Sequence, residues 1–111
     1  MELNEYKPQD QYKPQDLLDR ALFETYVIIK GCKEMGTEVP DVDFIKITIA
    51  FSMIDPPSAQ EFALFREKVV EKINRDQEFA KMYKATLMII NKEDANKVTE
   101  ALIKLAERML Q

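Results

Sequence analysis

The sequence contains no histidine, one cysteine (Cys32) and two glycines (Gly31 and Gly36) in 111 residues. Without histidine there is no imidazole to serve as a general base, to activate a nucleophile or to ligate zinc. A single cysteine forms no internal disulfide and no thiolate metal cage. With no histidine to activate it, Cys32 reads as a structural or surface thiol. Two glycines cannot build a glycine-rich phosphate loop. No apolar run is long enough to span a bilayer. Met1-Glu2-Leu3-Asn4-Glu5 is polar and acidic, the opposite of a secretory leader, and with Glu at position 2 no lipidation is expected. The expected location is the cytoplasm, which also suits a lone cysteine.

Apolar residues make up 46% of the chain, enough for one modest core. Twenty acidic residues stand against 16 basic ones, a net charge of −4, which argues against wholesale coating of nucleic acid. The acidic excess lies in residues 1–43, and residues 44–111 are nearly balanced.

The N-terminal stretch holds the only internal repeat. Tyr6-Lys7-Pro8-Gln9-Asp10 recurs as Tyr12-Lys13-Pro14-Gln15-Asp16. A period of six is too short for a solenoid unit. Each proline disfavours helix before it, and no aliphatic residue stands between Leu3 and Leu17. Residues 1–15 therefore read as a flexible tail and 16–111 as a single domain. Tyr6, Pro8, Tyr12 and Pro14 are candidate partner-binding residues, because paired tyrosines make good anchors on a linear peptide.

Residues 16–35 carry helical spacing, with Asp16 as cap and Gly31 and Gly36 as candidate stops. Tyr26-Val27-Ile28-Ile29 leaves a strand open as an alternative there. Next, Ile45, Ile47, Ile49, Phe51 and Met53 alternate with Lys46, Thr48, Ala50, Ser52 and Ile54, which predicts a strand. Ser58 and Glu61 have capping-box spacing ahead of the apolar stripe Phe62, Phe65, Val69, Val70 and Ile73, which predicts a helix. Gln77 to Tyr83 predicts another turn or two of helix. Lys84 to Ile90 reads as a shorter strand. The last helix follows Asn91–Asp94, with Ala95, Val98, Leu102, Leu105, Ala106 and Met109 on its core face.

The expected fold is thus α/β in α-β-α-β-α order, a small parallel sheet packed with three helices. Two strands are too few to stand alone. A third strand at residues 23–30, the tail, or a second copy of the chain would complete the sheet. This deficit predicts self-association.

Three site readings follow. Parallel strands would bring Asp55, Ser58, Asn91, Glu93 and Asp94 to one sheet edge, where open α/β sheets bind ligands and where oxygen donors suit a metal ion or a small anion. The simpler reading makes Ser58 and Asn91 helix caps and the acids dipole partners. Arg66, Lys68, Lys72 and Arg75 could contact phosphates of a nucleic acid, although interspersed glutamates favour an ordinary solvated face. The methionines, Met35, Met53, Met82, Met88 and Met109, read mainly as core filling. No catalytic constellation is present and no cofactor is expected. The sequence favours a non-catalytic, self-associating interaction or regulatory module with the tail as docking arm, whose partner is a second copy or another protein, without a membrane.

Overall fold

A computed structural model describes residues 13–54 and 58–111. Among them are five helices and no strand: α1 (Pro14–Met35), α2 (Val42–Ile54), α3 (Ala59–Arg75), α4 (Gln77–Ile89) and α5 (Ala95–Met109). The expected α/β fold is overturned, and with it the parallel sheet. Both predicted strands are helical.

Helix α1 is the hub and packs against all four others. It starts at Pro14, two residues before the expected cap. Proline is tolerated in a first turn, where its missing N–H has no intrahelical partner to lose. Residues 23–30 lie inside α1, so they are no third strand. Gly36 ends the helix at φ 72°, and the Thr37 N–H donates to the Cys32 carbonyl at 2.9 Å. That left-handed turn satisfies carbonyls which the helix end leaves open.

The strand expected at 45–54 is α2. Every fourth residue of an alternating apolar run also lies on one helix face, so Ile45, Ile49 and Met53 form a helical stripe as well. Ile45 is fully buried, and Ile49 and Met53 pack against the main core. The β-branched content lowers helix propensity only slightly, and packing overrides it. Asp41 supplies the start: its Oδ1 accepts from the Phe44 N–H at 2.9 Å, and its carbonyl from the Ile45 N–H at 3.2 Å.

The second expected strand, 84–90, continues α4. Asp76 alone separates α3 from α4. Its extended backbone breaks the helix, and its Oδ1 accepts from the Glu78 and Phe79 N–H groups, both at 3.1 Å. Phe79, Tyr83 and Thr86 then recur at helical spacing and are buried. Apolar content alone does not distinguish strand from helix over so short a run. Helices α3 and α5 form where the sequence predicts them, capped by Ser58 and Asp94.

The core joins Leu18, Leu22 and Ile29 of α1 to Phe65 and Val69 of α3, Phe79 and Tyr83 of α4, and Leu102, Leu105 and Ala106 of α5. Phe23, Tyr26 and Phe65 interlock edge to face and tilted, with ring centroids 5.1 and 5.3 Å apart. This core closes within one chain. The incomplete sheet therefore gives no reason for self-association.

Candidate functional site

Helix α2 is apolar almost all the way round. Such a helix is ordinarily buried on all sides, but among the described residues α2 packs chiefly against α1 and α5. Ile45, Ile49 and Met53 face inward. On the opposite side Phe44, Ile47, Phe51 and Ile54 are 55, 54, 68 and 80% exposed. Their spacing is three, four, three, the a/d seam of a helix that packs on another helix.

Both flanks of α2 are fastened, so the outward set is held outward. On one side the Arg20 guanidinium of α1 donates to the Ser52 carbonyl at 3.0 Å, near the negative end of the helix dipole. On the other, the Lys46 Nζ donates to Asn96 Oδ1 of α5 at 2.9 Å and lies 3.7 Å from Asp43. Asp43 and Lys46 are the only charged residues of α2.

Beneath that second flank a cleft of about 350 Å³ opens between α1, α2 and α5. Leu17, Ile49, Met53 and Leu102 form its walls, and Lys46, Asn91 and Glu93 stand among its polar lining.

The structure scatters the other sequence-derived candidates. Tyr6, Pro8, Tyr12 and Asp55 lie outside the described residues, and Pro14 opens α1. The sheet edge that was to gather Asp55, Ser58, Asn91 and Asp94 does not exist among the described residues. Ser58 Oγ accepts from the Glu61 N–H at 3.2 Å, which caps α3, and its hydroxyl donates to Glu61 Oε1 at 3.1 Å. Asp94 Oδ1 accepts from the Lys97 N–H at 3.0 Å. Asn91, expected as a cap, is exposed in the turn before α5, and Asp94 caps that helix instead. No group of three or more Cys, Asp or Glu residues among those described could hold a metal ion.

Three of the four basic residues proposed for phosphate contact have partners in the bundle. Arg66 reaches Asp16 and Asp19 at 3.4 and 3.1 Å and lies over the Phe62 ring. Lys68 sits over Tyr26, and Lys72 lies 3.5 Å from Asp76. Arg75 is exposed at the end of α3. Among the methionines, Met53, Met82 and Met109 pack on the core as expected, whereas Met35 and Met88 are exposed. Cys32 is a free, half-buried thiol.

Two polar networks tie the bundle together. Buried Asp19 accepts from the Tyr83 hydroxyl and from Arg66. Burial pushes its carboxyl above the ordinary range, against those two partners, and burial likewise pushes Tyr83 up. Asp19 is closed to solvent, so the network joins helices and has no access to a substrate. In the second network, Arg108 grips Asp76 with Nε at 2.7 Å and Nη2 at 3.0 Å. These bonds, with the Phe79 N–H, hold the Asp76 carboxyl well below its usual value.

Phe44, Ile47, Phe51 and Ile54 were therefore missed as a set. Alternation assigned Ile47 and Phe51 to the same buried face as Ile45 and Ile49. The three-four-three spacing from 44 to 54 was the signal that could have found them. No protein-family model, curated protein or solved structure matches this chain. No helix among the described residues is long and apolar enough to cross a membrane.

Proposed function

We propose that this chain is a non-catalytic interaction module that works by burying the outer face of α2 on a protein partner. The observation that carries the reading is the exposed seam Phe44–Ile47–Phe51–Ile54 on a helix fastened along both flanks. Among the described residues those side chains take no part in the core. Left in water they favour association, at roughly 25 cal/mol for each Å² covered. The N-terminal tyrosine repeat is a second contact in this proposal, and the free thiol suits the cytoplasm.

Site-specific photo-crosslinking in cells tests the reading. A benzophenone side chain in place of Phe51 is expected to yield discrete protein adducts. The same group in place of Lys84, exposed on α4, is the control. No adduct at position 51 beyond that control overturns the proposal.

A further inference from the structure

We infer that the surface which covers the outer face of α2 is the α2 of a second copy, packed antiparallel about a two-fold axis. This rests on the interaction reading and names its partner.

Charge selects the occupant. The two charged residues of α2, Asp43 and Lys46, lie 3.7 Å apart and offset each other. The seam is flanked by Thr48 and Ala50, small and uncharged. The four seam side chains carry no charge of their own, and Glu24 of α1 stands only at the edge of the face, beside Phe51 and Ile54. The seam's complement is a neutral apolar helix face with the same three-four-three spacing, and α2 itself has that face. Glu24 and Asp43 lie at the edge of the face on a chain of net charge −4, so low salt opposes the approach of two copies and added salt relieves it.

Size agrees with a modest dimer. The four exposed side chains offer roughly 500 Å² per copy, so a pair would cover about 1,000 Å², the lower limit of specific interfaces. Association is then concentration-dependent.

The order of residues selects the direction. In an antiparallel pair centred on the middle of the seam, Phe44 meets the second copy's Ile54 and Ile47 meets its Phe51. Every layer then holds one ring and one branched aliphatic side chain. A parallel pair would set ring on ring and isoleucine on isoleucine in alternate layers, an uneven gap between two straight helices. The antiparallel contact is self-complementary, as a two-fold axis requires.

Sedimentation velocity on the full chain, from low to high micromolar concentration, tests this. Wild type is expected to shift from monomer to dimer, and more readily at high salt, which screens the net charge. Phe51→Glu is expected to stay monomeric throughout with an unchanged helical circular-dichroism spectrum. Ile54→Glu, at the most exposed position, serves if Phe51→Glu does not fold. A mixture of Ile47→Lys and Phe51→Glu chains should form a heterodimer, because antiparallel packing sets the lysine opposite the glutamate.

A wild type that remains monomeric at high micromolar concentration overturns the inference, as does a dimer that survives Phe51→Glu. Failure of the mixed pair alone overturns the antiparallel direction. A monomer whose position 51 crosslinks to a different protein defeats self-pairing but leaves the interaction reading standing. A monomer with no adduct defeats both. Sedimentation with phosphatidylcholine vesicles, lost in Phe51→Glu, would assign the face to lipid and overturn the inference.

Discussion

The Tyr83 hydroxyl of α4 donates to Oδ1 of Asp19 in α1 at 2.6 Å, across 64 positions of sequence. Arg66 of α3 holds the other oxygen of that carboxylate at 3.1 Å. Three helices thus meet at one buried charge, which needs both partners to be tolerated there.

Tyr83→Phe leaves the buried carboxylate short of a donor and should cost about 1–3 kcal/mol at neutral pH. The sign of its pH dependence follows from the raised Asp19 pKa. A carboxyl whose folded value lies above its unfolded one contributes most below the unfolded value, and stability falls as pH rises through the folded one. Removing the hydroxyl raises the folded value further. The deficit of the variant should therefore grow in urea titrations as pH rises through the folded Asp19 value. A deficit of constant size would contradict this account.

Asp76 behaves in the opposite sense, because its folded pKa is depressed by Arg108. Its contribution is fully present above the unfolded carboxylate value of about 4 and disappears as pH falls through the folded one. Asp76→Asn should be less stable than wild type at neutral pH, and the two unfolding curves should converge on acidification. Parallel curves down to strongly acidic pH would show that the ion pair with Arg108 does not matter to folding.

Ile45 and Ile47 separate helix from strand directly. In a strand they would share one face and respond alike. In α2, Ile45 is fully buried and Ile47 faces away from the bundle. Ile45→Ala should cost about 2–5 kcal/mol. Ile47→Ala should stay within about 0.5 kcal/mol of wild type. Urea unfolding of dilute protein, below the concentration at which copies associate, makes the comparison. Equal losses would rule out the helical arrangement.

The two glycines should respond with opposite signs. Gly36 holds a left-handed conformation at φ 72°, where a Cβ costs about 1–2 kcal/mol. Gly31 lies inside α1 with open space where a Cβ would stand. Gly31→Ala should therefore raise stability by about 0.5–1 kcal/mol, and Gly36→Ala should lower it. Thermal melts of the two variants beside wild type decide both.

Helices α1, α3 and α5 were legible in the sequence because their signals are local. Ser58 with Glu61, Gly36 at a helix end and the apolar stripe from Ala95 to Met109 each act within a few turns of chain. The sequence by itself also excluded histidine chemistry, an internal disulfide and a glycine-rich loop.

Tertiary structure alone decided the state of residues 42–54 and 84–90. An apolar residue at every second position supplies a strand face, and at every fourth it supplies a helix face, so Ile45–Ile49–Met53 fits both. The choice fell to the surface available, a groove between α1 and α5 that accepts a helix, with Arg20 and Asn96 to hold its flanks. That choice also turned Phe44, Ile47, Phe51 and Ile54 outward, which composition could not reveal. Likewise Asp19 became the buried anchor for Tyr83 and Arg66 only in the fold, because groups 64 positions apart meet through packing and not through local spacing.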